Sequence, residues 1–451
     1  MRRCFRPLLR GHDRLWLGED LIEVSKRYGL AGELKIYADP FPPSKRSYPL
    51  VLEEAISKLK EHELSPYLEE LTHVASKVDA KLYLVGGALR DILIGGCVYR
   101  ELDLLLEGDL ERFLESAKKC KFSLKELTPF LTLKLVKDGK VFDIALGRKE
   151  IYERAGALPK VFPAKLYEDL QRRDFTINAM ALGLSEGIKG LLFDPFYGLD
   201  DIKRGILRLI KPYAFIEDPT RIIRGIRLKV RFSLNFEDRT LDLMKKAIDK
   251  GALLWVGWVR IWKELEELFK EDEYLNGIVL MEDLGCWQSI GVKLSKLDME
   301  VLDRLKGEKF LSQENRKEFL LFTIFGSEAH KHPRDWGLRF QLPKRLREDL
   351  SLAPLWRELK SLSFENRYRK FLRASQNLVK FWSICLEEDL FSLWKAYREA
   401  RPILSQEEME NIASLKGKEY GRIKIEVLRL QLEEGLRSKD DILERLRKES
   451  V

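Results

Sequence analysis

Two periods of apolar spacing run along this chain, and the change from one to the other divides it. Lys81–Val85 is apolar after its first residue and runs straight into Gly86-Gly87, and Glu101–Glu107 alternates, with Glu101 and Asp103 on one face and Leu102, Leu104 and Leu106 on the other. Both patterns predict strands, with a glycine turn and a short helix between them. Upstream, Leu52–Leu59 and Leu68–Val78 carry helical spacing. From Leu82 to about Ile206 strands alternate with helices, which predicts a small mixed sheet with its site at one edge. Past Arg208 the strand signals disappear. Leu241–Ile248, Trp258–Phe269 and Tyr274–Leu284 read as amphipathic helices, and the rest of the chain continues so. The fold class is therefore α+β: a small mixed β-sheet head followed by an all-α neck, body and tail. The expected boundaries are an N-terminal extension at 1–65, a head at 66–205, a neck at 206–275, a body at 276–345 and a tail at 346–451. Asp39-Pro40-Phe41-Pro42-Pro43-Ser44 breaks the extension into two pieces.

Chemistry concentrates around the first glycine turn. Two glycines between a strand and a helix let backbone N–H groups approach an anion, and the helix start adds a favourable dipole. Glu101 and Asp103, one short helix further on, are the oxygen ligands that Mg²⁺ on a nucleoside triphosphate needs. An ordinary Gly-Gly turn beside a half-exposed edge strand would explain this stretch taken alone. Three further segments argue against that explanation. Arg172-Arg173-Asp174-Phe175-Thr176-Ile177-Asn178-Ala179-Met180 interleaves charge, amide and apolar residues, unlike a solvated face or a plain core strand. Phe193-Asp194-Pro195-Phe196-Tyr197-Gly198-Leu199-Asp200-Asp201 is a turn-rich connection to Arg208-Leu209-Ile210. Glu217-Asp218-Pro219-Thr220 opens a helix in which Arg221, Arg224 and Arg227 recur every three residues while Ile222, Ile223, Ile226 and Val230 can bury one side. A solvated face accounts for one arginine-rich helix, but not for four such segments in this order.

The order GGALRD, ELD, RRDFTINAMA, FDPFYGLDD, EDPTRIIRGIR resembles the bacterial class II tRNA nucleotidyltransferases and their poly(A) polymerase relatives, over roughly residues 70 to 265. Those enzymes add nucleotides to RNA 3′ ends without a nucleic-acid template. The resemblance implies a nucleotidyltransferase head in which Gly86, Gly87 and Arg90 contact the triphosphate, with Arg224 and Arg227 reaching the phosphates. It makes Glu101 and Asp103 the catalytic metal ligands for Mg²⁺ in a two-metal mechanism, although the family pattern is Asp-x-Asp and Glu101 departs from it. Asp143, in Val141-Phe142-Asp143-Ile144-Ala145, is the candidate third carboxylate. Arg173 and Asp174 match the ribose-reading positions. Asp218 and Arg221 match the pair that hydrogen-bonds the incoming base, with Asn178 and Glu217 in support. The substrates implied are CTP and/or ATP, and the partner is the acceptor arm and 3′ end of tRNA, gripped by the helical tail. The 3′-hydroxyl attacks the α-phosphate and pyrophosphate leaves. Two alternatives share the fold: a poly(A) polymerase, and a non-catalytic RNA-binding protein. Addition of CCA, of CC alone or of A alone also stays open, since Asp218 and Arg221 suit either base and Arg148–Asp169 is close to full length.

Bulk properties fit this frame. The 451 residues carry a net charge of +8, which suits a phosphate-backbone partner. A charged fraction of 34% with seven Asn and seven Gln leans towards a thermophilic source. The five cysteines are scattered without CxxC spacing, which points to a reducing cytoplasm and no structural zinc. No apolar run is long enough for a secretory signal or a membrane span, and a monomer is expected. His330 and His332, next to Pro333, read as a loop rather than a metal pair. Trp255, Trp258 and Trp262, at helical spacing, read as core.

Overall fold

The structure is a computed structural model that describes residues 50–51, 53–95, 102–308, 312–331, 333–416 and 419–448. The described residues form two compact units, divided between Ile290 and Gly291. The strands of the first unit's main sheet are β1 (Leu50–Val51), β2 (Lys81–Val85), β3 (Leu104–Glu107), β4 (Ser123–Leu127), β5 (Thr132–Lys137), β6 (Lys140–Leu146), β9 (Ala181–Gly183) and β10 (Leu191–Phe193). Their order is β1-β10-β9-β2-β3-β6-β5-β4. The sheet is mixed because β3 pairs parallel with β6, whereas β2 pairs antiparallel with both β3 and β9. Strands β7 (Arg148–Ile151) and β8 (Lys160–Pro163) form a separate hairpin.

The two central strands explain their own sequence. Leu82, Leu84, Leu104 and Leu106 pack on one face under α1 (Glu53–Lys60), α2 (Ser65–Lys77), α3 (Gly86–Ile94) and α4 (Leu110–Lys119). Tyr83, Val85 and Leu105 pack on the other with Leu166, Leu170 and Ile210. Burial on both faces calls for continuous apolar runs, and each buried leucine contributes roughly 1.5–3 kcal/mol. Three expectations change here. The head begins earlier than the expected boundary at residue 66, because β1 adds an edge strand to the sheet and Ala55, Leu59 and Leu64 join the head's core. The glycine turn lies at the end of central strand β2 rather than at a sheet edge. A last short strand, β12 (Asn235–Phe236), pairs in parallel with β11 (Ile206–Leu207), beyond the point where strand signals fade.

Behind the sheet, α5 (Leu166–Gln171) and α6 (Gly198–Arg204) lead to the further helices of the first unit, among them α7 (Ala214–Glu217), α8 (Thr220–Phe232), α9 (Asp238–Asp249), α10 (Trp258–Lys270) and α11 (Tyr274–Asp283). Helix α8 meets the head at Gly225, where a Cβ would lie 2.8 Å from the Phe175 ring. That contact explains a glycine inside an otherwise good helical sequence. Of the three spaced tryptophans, Trp262 is buried and Trp255 and Trp258 are half-buried.

Among the described residues the second unit is helical, running from Lys296–Gly307 to Lys439–Lys448. Its interior is aromatic: Trp382 donates to the Ala353 carbonyl at 2.9 Å, and Phe319, Phe322 and Phe381 pack ring against ring. In Phe364–Phe371 the aromatics face inward, Phe364 stacking on Tyr368, while Arg369 pairs with Glu365 on the outside. His330 is in the last turn of a helix, Gln313–Lys331, and not in a loop; the helix continues through it because Ala329 and Phe325 anchor that end in the core. His332 lies outside the described residues.

Candidate active site

A cleft of about 620 Å³ opens at the end of β2, the start of β3 and the middle of β6, roofed by α8 and α10. Its floor is the start of α3. The residue before the helix, Val85, provides no side-chain cap, so the first N–H groups are left for a ligand. Gly86 has φ +69°, and a Cβ there would stand 2.8 Å from Asp103 Oδ2 and 3.4 Å from Arg173 Nη1. Only glycine fits so tight a left-handed turn against a carboxylate.

Asp103 is exposed at the entry to β3, and Asp143 is exposed on β6. The register Leu104↔Ile144 brings the two carboxylates onto neighbouring parallel strands, and both line the cleft. An all-oxygen pair of this kind fits a hard divalent cation. Glu101, the other expected ligand, lies outside the described residues. Among the described residues no group of three His, Cys, Asp or Glu side chains comes together as a metal site.

The RRDFTINAM string resolves into a set of positioned charges. Arg173 donates to Asp169 Oδ2 at 3.2 and 2.9 Å, and Arg172 donates to Asp169 Oδ1 at 2.9 Å and Glu150 Oε1 at 2.9 Å. Asp174 is buried; it accepts from its neighbour's Phe175 N–H at 2.7 Å, from Asn178 Nδ2 at 2.9 Å and from Arg224 Nη1 at 3.0 Å. Burial works to raise the Asp174 pKa, but Arg224, the Asn178 amide and Arg221 outweigh it and hold the carboxyl at about 2. Asn178 is the hinge of the group, because its Oδ1 also accepts from Arg90 Nη1 at 2.7 Å. Arg90 in turn donates twice to Asp91, which also receives Arg231. The FDPFYGLDD segment buttresses this string from outside the cleft. Asp194 accepts from the Gly198 and Leu199 N–H groups, and buried Asp201 accepts from Thr176 Oγ1 at 2.7 Å.

The roof carries the expected base-reading pair. Arg221 is buried, donating to the Arg172 carbonyl at 3.0 Å and, more loosely, to Glu217 at 3.5 Å, which also holds Lys211 at 3.1 Å. Asp218 accepts from Thr220 Oγ1 at 2.6 Å and from Arg260 Nη2 at 2.7 Å. Burial opposes charge on Arg221 and Arg224, yet the surrounding phenol and carboxylates win and raise both. Arg224 is half-buried between Asp174 and Glu264, and Arg227 pairs with Glu271 at 3.4 Å. Neither is the solvated cation that an exposed helix face would present.

All expected site residues within the described part therefore border or support one cleft. Several contributors were not anticipated: Arg148, Glu150, Tyr152, Asp169, Arg260 and Glu264. Burial raises Tyr152, and Glu150, though buried, is held low by Arg172, Arg221 and Arg148. Asp169 is the one with a local signal, since it stands three and four residues before Arg172 and Arg173 on a helix. The cleft lining has eight arginines against five carboxylates, a positive surplus that favours a polyanionic ligand.

A helix that opens on paired glycines thus stands beside carboxylates at the start of β3 and in the middle of β6. Residues 82–208 match the family model of the Poly A polymerase head domain. The chain is 37% identical over 247 residues to the A-adding tRNA nucleotidyltransferase of Halalkalibacterium halodurans, covering 54% of this chain and 58% of that one. To the A-adding tRNA nucleotidyltransferase of Aquifex aeolicus it is 31% identical over 373 residues, covering 78% and 45%. The chain spans about half the length of the curated relatives it matches. A solved CCA-adding enzyme in its apo form II superposes with a TM-score of 0.70 at 26% identity, covering 89% of this chain and 100% of that one.

Proposed function

We propose that the protein extends the 3′ end of tRNA without a nucleic-acid template, transferring a nucleotide from ATP or CTP and releasing pyrophosphate. The observation that carries this reading is the convergence of an uncapped glycine helix start, two exposed carboxylates and the Asp218 and Arg221 pair on a single cleft. Transfer of AMP onto a tRNA already ending in CC is the favoured form, because both curated relatives described above are A-adding enzymes.

In this reading the Gly86 and Gly87 N–H groups, with Arg90 and Arg227, receive the triphosphate. Arg173 and Asp174 face the ribose; a carboxylate accepts the 2′-hydroxyl proton while a guanidinium donates to its oxygen. Asp218 accepts from the exocyclic amine of adenine, and Arg221 donates to a ring nitrogen. Glu217 and Asn178 hold Arg221, Arg90 and Asp174 in place. Glu101, Asp103 and Asp143 would hold Mg²⁺, which when bound supplies positive charge at the α-phosphate and acidity at the attacking hydroxyl. The helical second unit is the proposed grip on the tRNA acceptor arm, through phosphate contacts that read shape.

The deciding experiment offers ATP and CTP, separately and together, to tRNAs ending before CCA, after the first C, and after CC. Addition of A only, and only to the CC-ended tRNA, is the expected result. Three-nucleotide addition would make it a CCA-adding enzyme, long A tails on unrelated RNA a poly(A) polymerase, and no incorporation would leave an RNA-binding protein. Gly86→Ala is expected to lower kcat by roughly tenfold to a hundredfold by displacing Asp103. The left-handed φ adds a stability loss of about 1–2 kcal/mol. Thermal melting and single-turnover incorporation check the two separately.

A further inference from the structure

The cleft holds one feature that the roles above do not use. Two aromatic side chains line it, and they differ in burial: Tyr152 is 3% exposed, while Phe130 is 38% exposed. Phe130 stands at the tip of the β4–β5 hairpin, beside Thr132 and Asp143. Its backbone is fixed. Thr128 N–H donates to the Thr132 carbonyl at 2.9 Å, Leu131 N–H to the Thr128 carbonyl at 3.0 Å, and Leu146 N–H to the Leu131 carbonyl at 2.8 Å. Leu131 takes the left-handed φ of +57° that closes the turn, and Arg148 donates to the Phe130 carbonyl. A loop so anchored leaves more than a third of a large apolar ring open to solvent at the cleft.

The strand order says what could meet it. Across β2-β3-β6-β5 the glycine turn comes first, then Asp103, then Asp143, then Thr132 and Phe130. In-line displacement at phosphorus puts the attacking oxygen opposite the leaving pyrophosphate. With the triphosphate on the glycine side of the carboxylates, the attacking 3′-hydroxyl arrives from the β6–β5 side, which is where Phe130 is. We propose that Phe130 is the platform on which the 3′-terminal base of the acceptor RNA stacks, setting the hydroxyl against Asp103 and Asp143. The inference rests on the nucleotide-addition reading above. An aromatic face suits this task because every base presents a π surface to it.

The test is steady-state kinetics with the full chain, ATP and a tRNA ending in CC. Phe130→Ala is expected to raise KM for tRNA by roughly five- to a hundredfold, the range expected of one base stack, with KM for ATP and the melting temperature unchanged. Phe130→Trp should restore the parental value and Phe130→Leu should not, which separates stacking from mere apolar filling. A tRNA with an abasic terminal residue should bind the parent as poorly as it binds Phe130→Ala. Parental KM for tRNA in Phe130→Ala, or an equal loss on the intact and abasic tRNA, would overturn the inference and leave the functional reading standing. A parent that incorporates nothing into any RNA would overturn both.

Discussion

Asp103→Asn is expected to lower kcat by about a thousandfold or more while leaving fold and ATP binding intact. Asp103 is exposed and the amide is nearly isosteric, and exposed changes of this kind usually move stability by less than about 0.5 kcal/mol. Triphosphate binding rests on other groups, the Gly86 and Gly87 N–H groups and the arginines. What the amide removes is a negative ligand at the reacting phosphate, where bound metal supplies several kcal/mol of transition-state stabilisation. Asp143→Asn tests the same idea from the adjoining strand, and a comparable loss would assign both carboxylates to one ion. Single-turnover incorporation with saturating ATP reads the chemical step, and ATP-dependent thermal shift reads binding. A variant with more than a tenth of parental kcat would remove Asp103 from the reaction.

The parts of this site legible in the sequence were those whose geometry is local. Lys81–Val85 is the strand β2 residue for residue, because a segment buried on both faces needs an unbroken apolar run and glycine ends it. The alternation at Leu102, Leu104 and Leu106 predicted one buried face, and all three leucines are buried in one cluster. Arg221, Arg224 and Arg227 were legible as a stripe, but the partners of Arg224 and Arg227 were not, because those carboxylates come from elsewhere: Glu264 and Glu271 lie 40 and 44 residues away in sequence. Arg260 reaches Asp218 from α10, and its partner Gly156 is 104 residues off. Such pairings depend on how α8 and α10 cross, which no window of sequence contains. The early start of the head at Leu50 escaped for another reason. A two-residue edge strand carries no periodicity, and only its pairing with β10 identifies it. Asn178 shows the intermediate case: its string looked anomalous in sequence, and the anomaly is one amide serving both Arg90 and Asp174.

That same Asp174 carries the second large effect. Its pKa of about 2 in the fold, against about 3.9 in an unfolded chain, is a depressed carboxylate pKa. The stability it contributes, on the order of 2 kcal/mol, is present above about pH 4 and lost as pH falls through about 2. Arg224→Ala removes the cation that most opposes burial and leaves a carboxylate in the interior hydrogen-bonded only by an amide and one N–H, with Arg221 as the remaining nearby cation. Breaking a buried pair from one side costs about 3–5 kcal/mol, so a loss of about 3 kcal/mol at pH 7 is expected. With burial then dominant, Asp174 titrates at higher pH, and the acid limb of the stability profile moves up by about one pH unit. Denaturant unfolding at a series of pH values measures both. Glu264→Gln supplies the control: it weakens the other contact of Arg224 but keeps the Asp174 pair. It should therefore lower stability modestly without moving the acid limb. An Arg224→Ala profile parallel to the parent at every pH would mean that Arg224 is not what holds Asp174 ionised.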